Sequence, residues 1–284
     1  MSFLRIHAQP GRSVSLVLSW FLFASGITAY FYASAARHRD NPDDRVTPTI
    51  AQMVQGFRDA ASKPAPEHED LGDAPQTTFA RIQSSMLWTD TAATSRRFLI
   101  SVALLFPAVL IGLHMAMFPY VGAFFLRFFQ FFDKIVALSL LPIIFIAFGI
   151  DELSKVMLIV IGVAPTIILD TFNLTKSVPS EQIVKAFTLG AGDFAIAYRI
   201  AFRQIMPRVL NSIRLNLKSV MLFLFAGEMI AASDGLAIRI RLMQRQMGMD
   251  TIIPYVLWVA LLLFLVDLGM NLLNRKLHPW FEET

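Results

Sequence analysis

Residues 185–207 read KAFTLGAGDFAIAYRIAFRQIMP, with long apolar runs on either side. The stretch carries Lys185, Asp193, Arg199 and Arg203. Ile183, Phe187, Phe194, Ala197, Tyr198, Ala201 and Ile205 form an apolar stripe at helical spacing. Gly190 and Gly192 interrupt the stripe, which predicts two short helices joined by a glycine turn. Pro179-Ser180 supplies a start signal for the first helix, and Pro207 sits where the next helix is expected to begin. On this pattern alone, an amphipathic helix held at a lipid surface fits as well as a docking element.

The rest of the chain is far less polar. Of its 284 residues 55% are hydrophobic and only 16% are charged, whereas a soluble domain carries about a quarter charged residues. A polytopic membrane protein is therefore expected. The absence of cysteine excludes disulfides and thiolate metal sites. The net charge of +4 lies in short segments between apolar runs, which suits basic loops rather than a nucleic-acid face.

About 20 apolar residues cross a bilayer. Spans are predicted near 14–33, 98–117, 135–150 (lengthened backward through the Phe-rich 123–132), 153–172, 210–232 and 252–273. The fold class is thus an all-α bundle of six transmembrane helices. Segment 174–208 holds five basic and two acidic residues, and Arg5, Arg12, Arg275 and Lys276 flank the outer spans. These basic segments fall on one side, read as cytoplasmic, with both termini there. Loop 36–95 holds six basic and nine acidic residues and is placed outside. Within it, Ile50, Met53, Val54 and Phe57 predict a helix over 49–61 on the membrane surface or the bundle, and the Pro-rich 62–76 is read as a loop. Ala33-Ser34-Ala35 resembles a signal-peptidase site, but the preceding apolar run is long enough to span, so retention as a helix is expected. Three regions follow: 1–35 with the first span, the external loop 36–95, and a core of five spans over 96–284.

The basic segment resembles the cytoplasmic EAA loop of permease subunits of ATP-binding-cassette importers. Val184-Lys185-Ala186, three residues, then Gly190-Ala191 occupy that family's pattern, and Pro207 with RVLNSIRLNL follows as its second proline and GLRLAL stretch do. Phe148-Gly149-Ile150-Asp151-Glu152-Leu153-Ser154-Lys155, Ala226-Gly227-Glu228 followed by Asp234-Gly235-Leu236, and Trp88-Thr-Asp-Thr-Ala-Ala-Thr-Ser-Arg-Arg97 are similar to motifs of the nitrate/sulfonate/taurine/bicarbonate branch. The likeness covers most of 41–280. Val184 and Lys185 depart from Glu-Ala, and Arg203 stands where the first proline usually lies.

The resemblance implies the type I importer permease architecture. It also implies two permease subunits, a homodimer before a heterodimer, in a bacterial inner membrane. Two cytoplasmic ATPase subunits would bind ATP and Mg, with no cofactor on this chain, and an external binding protein would deliver the solute. ATPase-coupling candidates are Lys185, Ala186, Leu189, Gly190, Ala191, Phe194 and Pro207. Nitrate, sulfonates such as taurine, bicarbonate and urea- or guanidine-related compounds are all candidate solutes.

Intramembrane carboxylates default to functional candidates, so Glu228 and Asp170 are candidate pathway residues. Their alternative role is structural, with Lys155 or Arg239 as nearby bases. Arg239 and Arg241, with Arg245, form a basic cluster suited to an anion, to a binding protein, or to the acidic loop 36–95. His114 is expected to pack within its span rather than bind metal. No Gly-Lys pair occurs, so this chain carries no phosphate loop and no catalytic residue is assigned. A channel or secondary transporter, or a membrane anchor whose 174–208 segment is only a surface helix, are the competing functions.

Overall fold

The computed structural model describes residues 12–41, 44–63 and 85–280. Arg5, Asp43 and most of the Pro-rich stretch 62–76 lie outside the described residues. Every element among the described residues is helical: α1 (Arg12–Asp40), α2 (Ile50–Ser62), α3 (Met86–Leu104), α4 (Phe106–Met117), α5 (Pro119–Phe132), α6 (Leu141–Phe148), α7 (Glu152–Lys176), α8 (Ser180–Thr188), α9 (Phe202–Ala231), α10 (Leu236–Arg245) and α11 (Met249–Leu277). The chain is an all-α transmembrane bundle. Among the described residues five helices are long and apolar enough to cross a membrane, and the number is six if one bent pair counts as a single span.

α1 is apolar on all sides, and its body is exposed, as a lipid-facing helix must be. Its end is tied to the chain that follows. Tyr30 Oη donates to Pro48 O at 3.0 Å, Ser34 Oγ to Thr47 O at 2.8 Å, and Arg37 pairs with Asp44 at 2.9 Å. The helix runs unbroken through Ala33-Ser34-Ala35. α2 starts at a reciprocal cap between Thr49 and Gln52 and packs on α11, with the Phe57 and Trp258 rings 5.8 Å apart.

α7 is the hub, packed against α3, α4, α5, α6 and α9. In lipid, apolar burial gains little, so helices associate through close packing at small residues. A Cβ on Gly112 of α4 would lie 2.5 Å from the Ile168 carbonyl oxygen, and one on Gly162 of α7 would lie 2.8 Å from Ala137 and Phe223. Leu113, Ile159, Val163, Ile205, Val220 and Leu224 fill the buried centre between these helices.

Three span boundaries differ from expectation. The second span is two helices, α3 and α4, jointed at Leu105, because Pro107 lacks the N–H that would carry the α ladder across the joint. The third span is not one helix through 123–150. α5 and the stretch Ala137–Phe148 meet at 83° around a break after Phe132. There Asp133 accepts from Thr166 Oγ1 at 2.8 Å, and Pro142 opens α6. The helix that carries the fifth span does not begin near 210. A turn Asp193–Ala195 and a π-helix Ile196–Ala201 run directly into α9, giving one helix over Asp193–Ala231.

Candidate coupling surface and ionic cluster

At one end of the bundle, α8 lies between α7 and the π-helix. It is amphipathic: Ala186 is buried and Ile183 half-buried, while Val184, Lys185 and Phe187 face outward. Its end follows from Gly190. The Gly190 N–H donates to Phe187 O at 2.9 Å and the Ala191 N–H to Ala186 O at 3.1 Å, with Gly190 at φ +83°. This is a Schellman closure, whose left-handed position favours glycine. The turn leaves Leu189 80% and Phe194 65% exposed at the tip, and Ala191 half-buried behind them. Ala186, Leu189, Gly190, Ala191 and Phe194 are thus gathered around one turn, and Lys185 sits on its rim.

Pro207 stands apart from that turn. It is buried inside α9 rather than opening a helix, and its carbonyl accepts from Asn274 Nδ2 of α11 at 3.1 Å. The second of the two expected short helices is therefore the start of the long α9 helix. Spanning helices tolerate a proline where neighbours satisfy the freed backbone groups.

An aromatic chain joins this tip to the bundle. Phe194 lies 5.3 Å from Phe118, Phe118 stacks 5.7 Å from His114, and His114 Nε2 is 3.0 Å from Tyr198 Oη on the π-helix. His114 Nδ1 is 2.7 Å from Leu110 O, so Nδ1 carries the proton and Nε2 accepts from Tyr198. His114 packs as expected, but its partner lies 84 residues away. A cleft of about 430 Å³ opens between α8 and the α4–α5 joint, lined by Met117, Phe118, Lys176, Ile183, Phe187 and Asp193.

At the other end of α7, roughly 37 Å away for 25 helical residues, lies a buried ionic cluster. Arg97 of α3 is its centre, and all five guanidinium N–H groups are used. Nε and Nη2 donate to Glu152 at 2.5 and 2.8 Å, Nη1 to Glu228 and Asp234 O at 2.9 Å each, and Nη2 also to Asp234 Oδ1 at 2.6 Å. Glu228 is fully buried and also accepts from Thr94 Oγ1 at 2.9 Å and the Ala237 N–H at 3.2 Å. Lys155 donates to Glu152 at 2.7 Å. The base facing Glu228 is therefore Arg97, not Lys155 or Arg239. Arg239 instead reaches Asp90 at 2.9 Å, and Asp90 also accepts from the Gly235 N–H at 3.1 Å.

Gly235 fits this cluster twice over. Its φ is +125°, and a Cβ there would lie 2.8 Å from Glu228 Oε2 and 2.9 Å from Arg97 Nη1. The other candidates are separate. Arg241 donates to Met229 O, and Asp170 accepts from Ser212 Oγ between α7 and α9. Arg97, Thr94 and Asp90 lie within the Trp88–Arg97 motif, and Glu152 within the Phe148–Lys155 motif. In sequence each is a motif letter without its partner, because the partners stand 55 to 149 residues apart.

The described helices thus form a membrane bundle with an exposed apolar tip at one end and a buried ionic clasp at the other. The model for the family of binding-protein-dependent transport system inner membrane components matches residues 108–280, and the chain belongs to that family. The taurine transport system permease protein TauC of Escherichia coli (strain K12) is 29% identical over 202 residues, covering 70% of this chain and 72% of that protein. The putative aliphatic sulfonates transport permease protein SsuC of the same organism is 23% identical over 151 residues, covering 53% and 57%. Among solved structures, an inward-facing crystal form of the MetNI methionine ABC transporter has a chain of the same fold. Its TM-score is 0.59 at 17% identity, over 67% of this chain and 95% of that one. The chain is a multi-pass membrane permease of the ABC transporter class.

Proposed function

We propose that this chain is the permease subunit of an ATP-driven importer for a small sulfonate-type solute. It passes the solute through the membrane, while a cytoplasmic ATPase pair, holding ATP and Mg, docks on the tip formed by α8 and the Gly190 turn. Two copies of the chain and an external binding protein complete the assembly, and the α8 end and both termini face the cytoplasm. The observation that carries the reading is the tip itself: Val184, Phe187, Leu189 and Phe194 are exposed apolar anchors in a segment with five basic residues. An apolar patch with a basic rim suits a groove in a soluble partner. The names of the TauC and SsuC relatives support the solute class.

The test is copurification. The chain, expressed with a cognate ATPase and binding protein, should form a stable complex that Gly190→Arg abolishes while the helical content is kept. Solute flux that persists without any ATPase would refute the coupling, as a channel or secondary transporter would show. Competition between taurine, nitrate and bicarbonate for the binding protein tests the solute.

A further inference from the structure

The exposed faces of two long spanning helices differ in chemistry. On α11 the outward stripe through the span is Val256, Leu257, Leu261, Phe264, Leu265 and Leu268, all apolar as lipid demands, with Asp267 beside it paired to Arg214 and with Arg275 and Lys276 exposed only in the last turn. On the helix Asp193–Ala231 the outward stripe is Gln204, Arg208, Asn211, Leu215, Lys218 and Leu222, at alternating four- and three-residue steps. That spacing keeps all six on one face. Leu215 is 69% and Leu222 56% exposed, Lys218 is exposed between them, and Asn211 is half-buried. The opposite face, with Ile205, Val209, Leu217, Val220 and Leu224, is buried in the bundle.

Lys218 lies ten residues past Arg208 and 13 before Ala231, roughly 15 and 20 Å along the axis. A hydrocarbon layer is about 30 Å thick, so the Lys218 backbone falls near the middle of a span running from Arg208 to Ala231. Among the described residues no carboxylate pairs with Lys218, and none lies on the stripe. A charged side chain at that depth is expensive against lipid and marks a watered cavity.

Building on the importer reading, we infer that this stripe of α9 is a wall of the translocation path, and that Lys218 is a specificity-determining residue that favours anionic solutes there. Arg208 carries the same sign toward the α8 end, so an anion meets two cations in sequence along one face.

The chain has no cysteine, so single cysteines report alone. Leu215→Cys and Leu222→Cys flank Lys218, and Leu257→Cys and Leu265→Cys on α11 are the controls. The full chain in membrane vesicles is treated, with reagent on both sides, with membrane-impermeant methanethiosulfonates bearing either a sulfonate or a trimethylammonium group. Each rate is divided by that reagent's rate with a free thiol in solution. The α9 positions should react and the α11 controls should not. The sulfonate reagent should be favoured about fivefold, the effect of one charge some 8 Å away in water. That preference should vanish with Lys218→Gln and reverse with Lys218→Glu. If the α9 cysteines are as unreactive as the controls, the stripe is not a watered wall. If the preference survives Lys218→Gln, the selecting charge lies elsewhere. Labelling requires no ATPase, so loss of the ATPase complex would refute the coupling reading and leave this result to stand or fall by itself.

Discussion

Two glycines with positive φ have opposite surroundings. At Gly190 an added methyl group would meet nothing within 4 Å, whereas Gly235 is wedged between Glu228 and Arg97. Gly190→Ala should therefore cost only the left-handed backbone term, about 1–2 kcal/mol, felt locally at the α8 turn. Gly235→Ala adds overpacking to backbone strain and should cost about 2–4 kcal/mol, read as a lower thermal midpoint in detergent. Arg97 shows the same dependence on surroundings. Arg97→Leu leaves three carboxylates facing one another and should destabilise by about 3–5 kcal/mol, with Arg97→Lys recovering part of it because lysine has three donors for five sites. Each of these residues is visible in the sequence as a motif letter. What the letters lack is the partner: nothing in Trp88–Arg97 says that its last arginine closes on Glu228.

At the scale of elements, the informative one is the π-helix Ile196–Ala201. Its i−5 bond from the Phe202 N–H to Ala197 O lets the helix absorb an extra residue while Tyr198 keeps its hydroxyl on His114. Tyr198→Phe should cost about 1 kcal/mol, and His114→Gln combined with it should cost less than the sum of the two single changes. Denaturant titration of the detergent-solubilised chain measures both. The apolar stripe over 183–205 is legible as helical, but its period does not separate an α from a π register. The tether between α1 and α2 responds to pH. The Val46 N–H is the main cause that holds the Asp44 carboxyl below its ordinary range; partial burial opposes it, and Thr47 and Arg37 assist. A depressed carboxylate stabilises above its unfolded pKa, so the Arg37–Asp44 contact should persist at neutral pH. It should loosen only as the pH falls to and below about 4, seen as a rise in spin-label mobility at the end of α1.

On the scale of the molecule, α7 links the two ends. It begins in the ionic cluster with Glu152 and ends at Lys176 beside α8, so a tilt imposed at one end moves the other. Weakening the clasp at Glu152 should therefore change behaviour at the tip. Glu152→Gln is expected to raise labelling of a cysteine at Phe194 in the isolated chain by a few-fold, whereas an unchanged rate would mean that the two ends move independently. The exposed body of α1 and the polar stripe of α9 similarly acquire meaning only when the whole surface is in view.

Composition and apolar run length were sufficient for the membrane class and the all-α fold, because a bilayer imposes one length and one polarity on every crossing helix. Motif order was sufficient for the family. The break between α5 and α6, the continuation of α9 through Pro207, the pairing of Arg97 with three carboxylates and the outward face of Lys218 came only from the folded chain. Each depends on which distant backbone or side chain satisfies a polar group, and spacing along one stretch of sequence does not encode that.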